Sequence, residues 1–144
     1  MITYFDSSSI VKWFFDEPLM GLSRGMKDKA EMSFTSVISL PEVMSAFNRA
    51  WRERRCSKSD MELVRSEFLR VWPGLHRIRA NEALILQAGQ LIFLHNLKGF
   101  DAVHLASALS LKEQIDGIEL FFSCFDTNLN RAAQKEGFTI HQEC

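Results

Sequence analysis

Asp6, Glu42, Asp101 and Asp126 are the residues whose types and placement offer chemistry. Each falls where a helix is expected to begin. Asp6 follows the apolar run Ile2-Thr3-Tyr4-Phe5, and Glu42 lies three residues after Ser39. Asp101 comes just after Lys98-Gly99, and Asp126 follows a second apolar run ending at Phe125. Taken singly, each has an ordinary structural reading. Asp is a favoured helix N-cap, acids in a first turn suit the helix dipole, and Ser39-x-x-Glu42 matches the capping-box pattern. Taken together they suggest more. A cap is worth about 1 kcal/mol, whereas several carboxylates held a few ångströms apart repel strongly unless a cation neutralises them. If the four converge, the natural occupant is a hard divalent ion. Magnesium or manganese suits carboxylate and water ligands, whereas zinc favours His or Cys.

Convergence requires a fold that carries distant helix starts to one edge, and the hydrophobic pattern supplies one. Ile2–Phe5, Met32–Thr35, Glu119–Phe125 and Phe138–His141 read as short strands, with a weaker one over Leu75–Arg79. Between them lie helical patterns. The first runs from Asp6 through Ile10, Val11, Phe14 and Phe15 to a stop near Glu17-Pro18, and a second spans Leu19–Lys29 despite Gly21 and Gly25. Ser39-Leu40-Pro41-Glu42 opens a long helix with Leu40, Val43, Met44, Phe47 and Trp51 on its apolar face. The next begins near Ser59-Asp60, presents Leu63, Val64, Phe68 and Val71, and ends around Pro73-Gly74. Asn81–Leu97, a helix from Asp101 with Ala102, Leu105, Ala106 and Leu109 inward, and Thr127–Glu136 complete the series. Strands alternating with helices predict an α/β fold, a short parallel sheet flanked by helices on both faces. Strand-to-helix turns of such a sheet gather at its carboxyl edge, where ligand sites lie.

At 144 residues, with no repeat or linker, the expectation is a single domain over 1–144. A hydrophobic content of 47% is that of a globular chain, and a net charge of -1 neither demands nor excludes a nucleic-acid partner. Cys56, Cys124 and Cys144 are few, odd in number and widely spaced, which argues against a disulfide framework and for a cytoplasmic setting. The most apolar segment, Ala83–Leu94, is too short to span a bilayer, so no membrane partner is expected.

The residues around the four acids resemble a known family. Asp6-Ser7-Ser8-Ser9-Ile10-Val11-Lys12 followed by Glu17-Pro18 is similar to the opening of PIN-domain ribonucleases, particularly the VapC toxins of toxin–antitoxin pairs. Pro41-Glu42-Val43 resembles the family's second acidic motif, and Asp101-Ala102-Val103-His104-Leu105-Ala106-Ser107-Ala108-Leu109 resembles the third closely. Asp126-Thr127-Asn128-Leu129-Asn130-Arg131-Ala132-Ala133, ending at Gly137-Phe138, is similar to the fourth, and the blocks come in family order over nearly the whole chain. The resemblance implies a PIN fold and magnesium- or manganese-dependent endoribonuclease activity leaving 5′-phosphate and 3′-hydroxyl ends. It gives metal-site roles to Asp6, Glu42, Asp101 and Asp126 and a supporting role to Ser8. It also implies an RNA substrate, a cognate antitoxin and a homodimer. The chain departs from the pattern at Cys124, where many members carry Thr or Ser two residues before the fourth acid. A thiol is a poorer hydrogen-bond partner than a hydroxyl, so weaker support for Asp126 is expected.

Other residues carry competing readings. His104, three residues after Asp101, faces the same region, but His76, His95, His104 and His141 have no metal-ligand spacing, which favours a supporting role. Arg49, Arg52, Arg54, Arg55 and Lys58 surround Trp51 and can hold RNA phosphates or simply form a solvated helix end. Lys12 and Arg131 are further RNA-binding candidates near the acidic motifs. Gly21-x-x-x-Gly25 lacks the Lys-Ser or Lys-Thr of a phosphate loop. The alternatives to a toxin ribonuclease are a PIN-fold RNA-binding or RNA-processing protein, and an aspartyl phosphotransferase with Asp6 as nucleophile. The latter is weakened by the absence of a second Asp two residues on.

Overall fold

The computed structural model describes residues 1–15 and 30–140. The expected stop at Glu17-Pro18, the helix over Leu19–Lys29 and the strand end at His141 lie outside the described residues. The element order is β1 (Ile2–Phe5), α1 (Ser7–Lys12), β2 (Met32–Ser36), α2 (Ser39–Arg52), α3 (Lys58–Val71), a 3-10 turn over Trp72–Gly74, and β3 (His76–Ile78). It continues with α4 (Glu82–His95), α5 (Gly99–Gln114), β4 (Leu120–Ser123), α6 (Thr127–Lys135) and β5 (Thr139–Ile140).

All strand pairs are parallel, in the order β3-β2-β1-β4-β5. The chain builds outward from β1 to β3 on one side, then crosses to add β4 and β5 on the other. The order therefore reverses between β1 and β4, and the crevice beyond their carboxyl ends is where such sheets bind ligands. Asp6 and Asp126 follow those two strands. In register, Phe5 pairs with Ser123, and the Asp6 backbone N–H donates to Ser123 O at 3.1 Å.

Alternation along β1 sends Tyr4 and Phe5 to opposite faces, and each joins a separate core. Tyr4 packs with Leu105, Phe122 and Leu129 beneath α4, α5 and α6, while Phe5 packs with Ile10, Val43, Phe47 and Phe68 beneath α1, α2 and α3. Helices thus cover both faces, as expected. Helix α5 is buried from Ala102 through Ala108, which explains its run of small and apolar residues. Among the described residues no helix is long and apolar enough to cross a membrane.

Three local expectations are corrected. Helix α1 is only six residues long, and Phe14 follows it in a turn. Leu63 is 62% exposed, and the buried side of α3 is Met61 and Phe68. The capping box at Ser39 does not form. Helical backbone starts at Ile38, with no side-chain cap, and the Ser39 hydroxyl is 2.6 Å from Thr35 Oγ1. Thr35 in turn donates to Phe5 O at 2.7 Å. Buried Ser39 has a nearer partner in the strand beneath it, so Glu42 is released from capping.

Candidate active site

Asp6 follows β1 directly and caps α1. Its Oδ1 accepts from Ser9 N at 3.0 Å and from the Ser8 hydroxyl at 2.7 Å. Asp126 plays the same part after β4, accepting from Leu129 N at 2.8 Å. Ser8 joins the two loops, because its hydroxyl oxygen also accepts from Phe125 N at 3.2 Å. Asp101 is the third residue of α5 and half-buried, and Glu42 lies in the first turn of α2.

These acids share one electrostatic neighbourhood. Burial of Asp6 raises its carboxyl from 3.8 to about 6; His104 and the bonds from Ser9 and Ser8 oppose the rise, and Asp101 adds to it. Asp101 is also pushed up, first by burial and then by Asp126 and Glu42, against the pull of His104 and Lys98. Asp6 thus feels Asp101, and Asp101 feels both Asp126 and Glu42. Capping and mutual electrostatic influence coexist, since Asp6 and Asp126 keep their backbone donors while Asp101 interacts with both of them.

His104 is the hub that sequence reasoning placed only loosely. Its Nδ1 lies 2.7 Å from Tyr4 Oη and its Nε2 lies 2.7 Å from Glu42 Oε1. Burial and the charges of Asp6 and Glu42 hold the Tyr4 hydroxyl well above its ordinary value, against a hydrogen bond with Ser107, so Tyr4 keeps its proton. The imidazole thus bridges Tyr4 and Glu42 through its two ring nitrogens. Both ring nitrogens are engaged, which leaves His104 to orient Glu42 rather than to ligate. Tyr4 itself was overlooked as anything but strand core. Its position two residues before Asp6, on the same side of β1, was the available signal.

The Cys124 thiol reaches the Asp126 backbone oxygen rather than its carboxylate. Its Sγ–H lies 3.2 Å from Asn130 Oδ1 and 3.5 Å from Asp126 O, and Asn130 Nδ2 donates back to Cys124 O at 3.1 Å. Burial, with Asp6, Asp126 and Asp101 nearby, keeps this thiol protonated far above its usual range.

Of the basic candidates, Lys12 and Arg49 line a cavity of about 580 Å³ between α1 and α2, together with Ser8, Glu42, Ser45 and Phe100. Arg52 instead lies over the Trp51 ring, 4.9 Å from its centroid, and Arg55 pairs with Glu53 at 3.2 Å. Arg131 is 3.4 Å from Asn128 Oδ1 on its own helix.

The donor set fits a hard divalent ion. It offers four carboxylates, while the thiol keeps its proton and both imidazole nitrogens are held in hydrogen bonds, which suits oxygen ligation better than zinc-type ligation. Among the described residues no three of His, Cys, Asp or Glu close around one point. Magnesium does not require that, since it commonly takes one or two carboxylates and completes its shell with water and phosphate oxygens.

A parallel α/β sheet with acids at its carboxyl edge is the arrangement of an enzyme class that works on phosphate esters with a divalent ion. The chain belongs to the PIN-domain family, whose model matches residues 3–135. It is 28% identical over 139 residues to ribonuclease VapC45 and, equally, to ribonuclease VapC49, from two strains of Mycobacterium tuberculosis. The match covers 96% of this chain and 94% of each relative. Among solved structures it is similar to Mycobacterium tuberculosis VapC20, a Sarcin-Ricin loop cleaving toxin (TM-score 0.67, 18% identity, 95% of this chain and 96% of that one). It is also similar to FitAcB from Neisseria gonorrhoeae (TM-score 0.66, 12% identity, 98% and 97% covered). Both likenesses are of fold.

Proposed function

We propose that this chain is a divalent-metal-dependent endoribonuclease, the toxin of a VapBC-type toxin–antitoxin pair, acting as one domain in the cytoplasm. The observation that carries the reading is the shared field of Asp6, Glu42, Asp101 and Asp126 beside a cavity that also holds Lys12 and Arg49. Descent from the same family as two proteins named ribonucleases supports it. The chemistry that bound magnesium or manganese would supply there is polarisation of the scissile phosphate and acidification of an attacking water.

The chain's own residues divide the remaining work. Asp6 and Asp101 would be the principal ligands, with Asp126 and Glu42 contributing through bound waters or holding a second ion. Ser8 holds Asp6 in place, and His104, steadied by Tyr4, fixes the carboxylate plane of Glu42. Lys12 and Arg49 receive phosphates flanking the cut, which positions the strand without reading its sequence. Arg52 and Arg55 sit further along and contribute at most to the approach of RNA. The near-complete burial of Asp6, at 3% exposure, and the two donors on its Oδ1 weigh against an aspartyl nucleophile. An antitoxin partner fits the family, and the exposed apolar residues Leu86, Phe93 and Leu94 on α4 suit pairing of two copies.

The test is incubation of the purified chain with total RNA and manganese, followed by mapping of the ends. Discrete cuts bearing 5′-phosphate and 3′-hydroxyl ends, absent when a chelator is present, are expected. RNA left intact under all divalent ions tried would remove the ribonuclease reading.

A further inference from the structure

Phe100 stands between two grooves. It is the second residue of α5, 62% exposed, and it lies immediately before Asp101. On one side is the cavity with Lys12 and Arg49. On the other is a second groove of about 730 Å³ between α4 and α5, walled by Ile85, Ile92 and Val103 and floored by Ala88 and Gly89. Among the described residues, Glu42 and Phe100 alone line both. Both grooves have mainly apolar walls and share Glu42, but they differ in the other polar groups they carry. The first offers cationic and hydroxyl groups, and among the described residues no carboxylate lies within ion-pair distance of Arg49. The second is mostly apolar, with Lys98 and Asp101 at its mouth. Its floor is open, since a Cβ added at Gly89 would meet nothing within 4 Å.

We propose that the second groove is a nucleobase slot, and that Phe100 is the stacking wedge separating it from the phosphate-binding cavity. The inference rests on the ribonuclease reading and adds a substrate requirement to it. A base unstacked from its neighbour enters the slot, with its flat face against Phe100 and the aliphatic walls. The adjoining backbone passes over Glu42 and Asp101 toward Arg49 and Lys12. Charge complementarity favours RNA over an apolar peptide here, because the slot opens at the proposed catalytic carboxylates on one flank and at basic side chains on the other. Only a single-stranded or looped segment can splay its bases this way, since unpaired bases stacking on aromatic side chains are the usual route by which proteins read RNA. A continuous duplex is excluded.

The test uses the full chain in chelator, so that binding is read without cleavage. The probe is a single-stranded oligoribonucleotide spanning a cut mapped in total RNA, with the fluorescent base aminopurine on either side of the cut. Wild-type protein should quench the aminopurine, and Phe100→Ala should abolish the quench and weaken binding roughly 5- to 100-fold, as loss of one base–aromatic stack does. Phe100→Trp should restore both. Gly89→Leu fills the slot at an open helical position that favours Leu over Gly, so it should keep or raise thermal stability while weakening RNA binding. A fully base-paired version of the probe should bind weakly to wild type and be insensitive to Phe100→Ala. Wild-type quench and affinity in both Phe100→Ala and Gly89→Leu overturns the slot while leaving the ribonuclease reading intact. Unchanged RNA binding with altered sedimentation of Phe100→Ala would likewise overturn it and assign the ridge to a protein contact. If total RNA yields no cut in the mapping experiment, the ribonuclease reading fails and the slot falls with it.

Discussion

Asp6→Asn and Asp101→Asn should each lower the rate of RNA cleavage by at least about 10³-fold at saturating manganese, the scale expected when a principal charge-stabilising group is lost. Both substitutions keep the shape of the side chain. In Asp6→Asn the amide oxygen still accepts from Ser9 N and the Ser8 hydroxyl, so α1 keeps its cap. Asp101 caps nothing, because α5 begins without a side-chain cap, and its amide fits the same half-exposed site. Loss of activity would therefore report loss of charge, and circular dichroism should show unchanged helix content. Glu42→Gln should cost less, roughly 10- to 100-fold, the range for residues that act through a neighbour of the ion. Initial rates on a labelled RNA containing a mapped cut decide the matter, and full activity in both Asn variants would remove the assignment.

In chelator at pH 7, Asp6→Asn should be more stable than wild type by about 1–3 kcal/mol, a gain in Tm of roughly 3–10 °C for a domain of this size. Burial raises the folded-state carboxyl from 3.8 to about 6. Below the lower value both folded and unfolded chains hold the proton, and the group costs nothing. Between the two values the unfolded chain ionises first, so stability falls as pH rises. Above about 6 the full penalty is present, near 3 kcal/mol for a shift of about two pKa units. The amide escapes that penalty, so its advantage should be large at pH 7 and vanish near pH 4. Divalent ions should narrow or reverse it, because they bind the folded wild type and stabilise it by mass action. Thermal melts of both proteins across that pH range, with chelator and with manganese, give the comparison. An Asn variant less stable than wild type in chelator at pH 7 would contradict the electrostatic account. The same residue thus lowers stability and supports activity, a trade common at functional sites.

The architecture was legible because its signals are long-range in sequence but simple in pattern. Short strands alternating with helical stretches, two of them followed directly by an Asp cap, pointed to a parallel sheet with helices on its faces, and β1, β2 and β4 follow that reading closely. Helix α5 was legible from its small-residue pattern, although its burial runs all round rather than along one stripe. What the pattern could not give were partners chosen in three dimensions. Ser39 looks like a cap until Thr35, one turn earlier and on a different element, competes for its hydroxyl. Leu63 matches the helical stripe, yet α3 covers its core with Met61 and Phe68 and turns Leu63 to solvent. The Tyr4–His104–Glu42 chain joins three elements separated by up to 100 positions, and no local spacing announces it. The acids themselves were visible, because each had to sit at a helix start; their mutual influence was a matter of topology, fixed by the reversal of strand order between β1 and β4.

The account turns on whether these carboxylates act as one cation site. Titration of manganese into the RNA-free protein, followed by calorimetry or by the electron paramagnetic resonance of the free ion, measures that directly. Wild type should bind manganese in a saturable step, and Asp6→Asn and Asp101→Asn should each weaken that step by tenfold or more, roughly 1.4 kcal/mol. Equal binding by wild type and both variants would contradict the claim that Asp6 and Asp101 hold the ion together.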